Sequence, residues 1–167
     1  MISSVAKKYK VGFTCGAFDV THAGHYLMFK ECKSKCDYLI VGLEVDPSVD
    51  RSDKNKPVQS LEERKIQLES CKYIDKIVVY ETEKGLFHLL KKLNPDVRFM
   101  GADWKNKPNY SRDLLPDMKV VYNSRAHSYS SSSLRKRIYE REKSLIAEPA
   151  RGIEPRTSNL QNWRSTN

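Results

Sequence analysis

Two histidines, His22 and His25, bracket Gly24 in the run Cys15-Gly16-Ala17-Phe18-Asp19-Val20-Thr21-His22-Ala23-Gly24-His25, directly after the strand-like Lys10 to Thr14. Three residues apart, the two imidazoles share one side of a first helical turn, and the glycine between them leaves room for phosphate oxygens. Backbone N–H groups at a helix start are unpaired and carry partial positive charge, so an anion there finds donors already aimed at it. The chemistry such a run serves is holding a triphosphate and stabilising charge that grows on it. For this, a strand must deliver the run and a helix must begin within it.

The rest of the chain supplies that frame. Strand-type segments at Val11–Cys15, Tyr38–Leu43, Lys76–Tyr80, Val97–Met100 and Lys119–Tyr122 alternate with helix-type segments. Helices are expected over Gly24–Lys35, Leu61–Lys72 and Leu86–Leu93, and from the serine cluster through Leu134 and Ile138. This alternation predicts an α/β fold: a Rossmann-like, doubly wound parallel sheet of about five strands with helices on both faces. In such sheets ligands gather outside the carboxyl ends of the strands, where the histidine run falls.

The second helix starts at a capping box, Ser60 with Glu63 three residues on. Arg64 shares the apolar stripe of Leu61, Leu68 and Cys71, so a charged group is expected on the inward face. Just upstream, Lys54 and Lys56 sit in a basic loop before Pro57, flexible point charges suited to the β- and γ-phosphates. Arg64 and this loop are expected to flank one cleft.

Length and composition suit one catalytic domain over residues 1–140, with 141–167 a disordered tail interrupted by Pro149, Gly152 and Pro155. The net charge of +9 is spread among acidic residues and suits an enzyme with anionic substrates. A dedicated nucleic-acid binder is the minority reading, because no RNA-recognition signature or paired aromatic platform accompanies the charge. Cys15, Cys32, Cys36 and Cys71 form no short disulfide framework, and no secretory pattern opens the chain, so a reduced, cytoplasmic protein is expected. Cys32 and Cys36 read as packing residues on one helix face. No metal-ligand set is expected.

The order G-x-F-D-x-x-H-x-G-H, here Gly16, Phe18, Asp19, His22, Gly24 and His25, resembles the signature of the nucleotidyltransferase superfamily that includes the cytidylyltransferases. Met100-Gly101-Ala102-Asp103-Trp104 looks like the G-x-D-W stretch of the bacterial glycerol-3-phosphate cytidylyltransferases, and Tyr73-Ile74-Asp75 like their Y-V-D. The run Arg125 to Ser132, followed by Leu134-Arg135, is similar to their R-T-x-G-x-S-T-[ST] motif. The resemblance spans roughly Val11 to Ile138. Three positions depart from it: Ala126 replaces the threonine, Ser128 the glycine, and Lys72 the arginine before Y-V-D.

This resemblance implies transfer of a nucleoside monophosphate from a triphosphate, CTP favoured, to a small phosphorylated alcohol such as glycerol 3-phosphate, with release of pyrophosphate. It implies that His22, His25, Lys54, Arg64 and Arg125 act on the phosphates. Gly16, Ala17, Phe18, Asp19, Gly24, Lys56, Lys72, Asp103, Trp104, Ser130, Ser131 and Ser132 are the implied nucleotide-binding set. Mg²⁺ would arrive on the triphosphate, and a homodimer is implied. Two alternatives stay open: an adenylyltransferase acting with ATP on a sugar phosphate or flavin mononucleotide, and a nucleotide-binding module without turnover.

Overall fold

The structure, a computed structural model, describes residues 8–147. Five strands, β1 (Tyr9–Gly16), β2 (Cys36–Glu44), β3 (Lys76–Tyr80), β4 (Val97–Gly101) and β5 (Val120–Asn123), form one sheet in the order β3-β2-β1-β4-β5. Every pairing is parallel. The helices are α1 (Ala23–Lys35), α2 (Leu61–Glu69), α3 (Glu83–Leu93), the short α4 (Tyr110–Asp113) and α5 (Ser131–Ala147). The expected α/β class and doubly wound sheet are present.

Alternation along the central strands builds two cores. Leu39, Val41 and Leu43 face Phe29, Cys32 and Leu68 of α1 and α2, while Phe13 and Ile40 face Leu86 and Leu90 of α3. Because helices cover both faces, β2 is buried continuously from Leu39 to Glu44. The strand order reverses between β1 and β4. The crevice beyond their carboxyl ends, at Gly16 and Gly101, is the place such sheets reserve for ligands.

Several boundaries differ from expectation. Cys36 is not helical: it opens β2, and its thiol donates to the Cys32 carbonyl at the end of α1. Helix α2 stops at Glu69, because the Ser70 N–H and hydroxyl both turn back to the Ile66 carbonyl. Helix α3 starts three residues early, because the Thr82 hydroxyl accepts from the Gly85 N–H. A 3-10 turn (Ala102–Trp104) and α4 were not anticipated. The chain divides between Ser131 and Ser132 into two units. Helix α5, which holds the whole described part of the second unit, runs through residues 141–147 where a tail is expected, and the remainder of that segment lies outside the described residues. No helix among the described residues is long and apolar enough to cross a membrane.

Candidate active site

The loop between β1 and α1 is held in a conformation its sequence does not favour. Phe18 and Val20 take φ values of 50° and 49°, the left-handed region that suits glycine and that a β-branched residue resists. Such strain persists only where neighbours over-determine it. Here the Gln59 N–H donates to Asp19 Oδ1 at 2.9 Å, and Gln59 Oε1 accepts from the Val20 N–H at 2.7 Å. Thr21 Oγ1 donates to Gln67 Oε1, and the Ser131 hydroxyl donates to the Asp19 carbonyl at 3.3 Å. Phe18, 5 % exposed, packs against Phe29 and meets His25 edge-on at 5.5 Å.

Arg64 completes this bracing, and the expectation that it holds triphosphate is not met. It is inward, as its stripe requires, but only 2 % exposed. Its Nε donates to the Gln59 and Ser60 carbonyls, Nη1 to those of Ala17 (2.8 Å) and Glu44 (2.7 Å), and Nη2 to that of Val45 (2.8 Å). A guanidinium so committed ties the β1–α1 loop, the end of β2 and the start of α2 together. Turning it toward a ligand would strand buried carbonyls.

The two histidines form a capping box of their own. His22 is the N-cap of α1, extended at φ −138° and ψ 172°, and its Nδ1 accepts from the Gly24 N–H at 3.1 Å. Three residues on, His25 Nδ1 accepts from the His22 N–H at 3.3 Å. A nitrogen that accepts cannot carry the proton, so each neutral ring bears it on Nε2. The box thus fixes two tautomers and leaves two Nε2–H donors. The rings stack with centroids 4.0 Å apart, so two positive charges there would repel. Burial, the His22 ring and the Arg125 guanidinium bring the His25 pKa down to about 3, and Asp19 offsets this only in part. His22 is lowered too, by burial, His127 and Arg125. Both are neutral donors at pH 7. The first turn of α1 contains no acidic side chain to answer the helix dipole.

Across the crevice, Arg125 Nη1 lies 3.5 Å from Asp103 Oδ1, which joins the 3-10 turn to the loop after β5. Lys54 approaches the Trp104 ring face at 6.0 Å while pairing with Asp53 at 2.9 Å, and Lys107 lies over the same ring at 5.7 Å. The fold thereby brings Lys54, Asp103, Trp104 and Arg125 to the carboxyl edge of the sheet. Lys56 is exposed on the same loop as Lys54. Lys72 is a different matter: it follows the C-terminal end of α2, over the Tyr73 ring at 5.4 Å. A nine-residue helix separates it from the α2 start by about 13 Å, toward the amino edge of the sheet. Lys72 is therefore not brought to the site within one chain. Of the serines, Ser131 reaches the β1–α1 loop through the Asp19 carbonyl, Ser130 is half-buried, and Ser132 begins the second unit.

Two features were missed by reading the sequence. His127, inside the run Arg125 to Ser132, places its ring beside Gly24: a Cβ built there would stand 2.7 Å from His127 Cε1 and 2.9 Å from His22 Cε1. Only glycine fits between these rings. Arg98, 2 % exposed on β4, donates to Ser111 Oγ at 2.8 Å and Asn109 Oδ1 at 3.3 Å, with Nη2 3.7 Å from Cys15 Sγ. It faces away from Val97 and Phe99, as strand alternation in Val97-Arg98-Phe99-Met100 would have indicated.

Comparison with known proteins agrees with this geometry. Residues 13–150 match the family model described as cytidylyltransferase-like. Among relatives, the bifunctional protein HldE of Wolinella succinogenes is 34% identical over 126 residues, covering 72% of this chain and 26% of that protein. HldE of Caulobacter vibrioides is 40% identical over 111 residues, covering 66% and 23%. The chain thus spans about a quarter of the length of these relatives. The lipopolysaccharide core biosynthesis protein from Thermoplasma volcanium shares the fold with a TM-score of 0.60 at 22% identity, over 73% of this chain and 99% of that one. A bifunctional NMN adenylyltransferase/ADP ribose pyrophosphatase from Francisella tularensis shares it at 0.58 and 16% identity, over 79% and 42%. With a family match over most of its length and the histidine loop at the sheet's switch point, this chain belongs to the cytidylyltransferase-like family of nucleotidyltransferases.

Proposed function

We propose that the protein transfers a nucleoside monophosphate from a nucleoside triphosphate to a small phosphorylated alcohol. The observation that carries this reading is the histidine capping box, whose two Nε2–H donors crown a helix start with no acidic residue of its own. An oxygen of the acceptor phosphate attacks the α-phosphorus, the bond from that phosphorus to the bridging oxygen breaks, and pyrophosphate leaves with the electron pair. The acceptor is already an anion and needs no general base. Charge grows on the α-phosphate and bridging oxygens, and positioned donors in a half-buried site stabilise it without reorganising.

In this account His22 and His25 donate to those oxygens, Arg125 and Lys54 hold the outer phosphates, and Lys56 adds a flexible charge. Gly16, Phe18, Asp19 and Ala17 shape the loop, while Asp103 and Trp104 border the nucleotide. Mg²⁺ bound to the triphosphate would neutralise its oxygens. Among the described residues no group of three or more His, Cys, Asp or Glu is placed to hold an ion alone, so the phosphates would be its main ligands.

The favoured nucleotide is CTP and the leading acceptor glycerol 3-phosphate, a reading supported by Gly101-Ala102-Asp103-Trp104 and Tyr73-Ile74-Asp75. A second reading, ATP with a sugar phosphate or flavin mononucleotide, is favoured by the departures at Lys72, Ala126 and Ser128. The test is pyrophosphate release with CTP and ATP in direct competition, against a panel of phosphorylated alcohols and sugar phosphates. Preferential consumption of CTP supports the first reading, and preferential consumption of ATP replaces it with the second. Saturable nucleotide binding without pyrophosphate would leave a binding module and overturn both.

A further inference from the structure

His127 and His22 come from distant parts of the chain, yet their ring edges converge on Gly24, the buried glycine of α1's first turn. The His127 Nδ1 is buried and has no hydrogen-bond partner. Native proteins seldom leave such a nitrogen unpaired unless a ligand or an ordered water completes it. The groups facing His127 are mostly cationic or neutral donors: His22 and His25 with their Nε2–H, and the Arg125 guanidinium two residues away. Tyr129 lies along its other side, ring centroids 5.4 Å apart. The carboxylates in this neighbourhood are engaged, Asp103 with Arg125 at 3.5 Å and Asp19 with the Gln59 N–H. His22, His25, Arg125 and His127 thus gather donors and positive charge at the start of α1, a grouping that suits an anion.

We propose that His127, carried by the loop after β5 to the edge of Gly24 beside His22, is a third histidine that contacts the nucleotide's phosphates. This rests on the nucleotidyl-transfer reading and extends it. The α1 histidines are fixed by their capping bonds, whereas His127 is fixed by nothing on its Nδ1 and takes its partner from the ligand. Its contribution therefore falls mainly on triphosphate binding and less on the chemical step.

The test compares wild-type protein with His127→Ala and His127→Gln by pyrophosphate release, alongside ligand-free thermal midpoints. His127→Ala is expected to raise the KM for triphosphate about tenfold or more, with the acceptor KM and the midpoint nearly unchanged. His127→Gln keeps an N–H donor and should recover a large part of that loss. Wild-type KM in His127→Ala, or a fallen midpoint with an unchanged KM, would show a ring that only packs over Gly24 and would overturn the proposal. If the wild-type protein releases no pyrophosphate, the transfer reading fails, and calorimetric titration with inorganic tripolyphosphate decides on His127. Tenfold weaker binding by His127→Ala would then support the contact. Equal binding, or none by the wild-type protein, would refute it.

Discussion

Helices α1 and α2 begin with the same hydrogen-bond pattern and do different things with it. At α2, Ser60 Oγ accepts from the Glu63 N–H and Glu63 Oε2 accepts from the Ser60 N–H. Glu62 and Glu63 also answer the positive end of that helix with negative charge. At α1 the same two positions hold His22 and His25, and the first turn has no acid. A serine and a carboxylate that have capped a helix have no aimed donor left. An imidazole that accepts through Nδ1 still has Nε2–H. The proposed function uses that difference: at α1 the device that starts a helix supplies orientation, and the second nitrogen supplies a donor for phosphate.

Breaking the frame under the α1 box should give the largest stability effect. Arg64→Lys leaves one ammonium where a fork serves five carbonyls, and should cost about 3 kcal/mol through unpaired buried carbonyls. For a domain of this size that is a fall of roughly 10 °C in thermal midpoint, measured by calorimetry. Reduced turnover should follow from a loosened loop. A variant of unchanged midpoint that has lost only triphosphate affinity would return Arg64 to the phosphates.

The two boxes should also differ in how they respond to acid. The folded-state pKa of His25 lies well below the ordinary 6.5, so its contribution to stability is complete above that value. As pH falls from about 6.5 toward 3 the unfolded chain gains a proton that the native ring refuses, and up to about 1.4 kcal/mol is lost per pH unit. Urea unfolding between pH 7.5 and 5 should show this slope in the wild-type protein and a flatter one in His25→Asn. Equal slopes would contradict the buried neutral imidazole. The Glu63 carboxylate, its pKa held down by its bonds to Ser60, titrates lower and should not contribute in that window.

The smallest effect is expected at the ordinary box. Ser60→Ala should cost about 1 kcal/mol of stability, seen as a lower urea midpoint. It should leave kcat/KM for triphosphate nearly untouched, because its hydroxyl serves only the helix. A loss of activity larger than the loss of stability would mean that α2's start communicates with the phosphates.

Much of this was legible in the residues. Strand and helix alternation gave the sheet, and the spacing of His22, Gly24 and His25 gave their shared place in the first turn of α1, because helical periodicity is a local property. The inward placement of Arg64 was legible too, but its partners were not: Ala17, Glu44, Val45, Gln59 and Ser60 offer backbone carbonyls, which carry no signature in side-chain sequence. Lys72 went astray because a helix start and a helix end lie at opposite edges of a parallel sheet, a distance that motif order does not encode. His127 was hidden in a serine-rich run, and only the fold brings it over Gly24.

The central claim is that the α1 box grips triphosphate through what its capping groups have left over. The most direct measurement exchanges the boxes: His22→Ser with His25→Glu gives α1 the capping pair that α2 carries at Ser60 and Glu63, while removing both imidazole N–H donors. Pyrophosphate release and thermal midpoint are then read on the same preparation. The account predicts a midpoint close to wild type and a rate lower by about 10³-fold or more, the loss of two transition-state donors. Near-wild-type turnover in a folded double variant would contradict it.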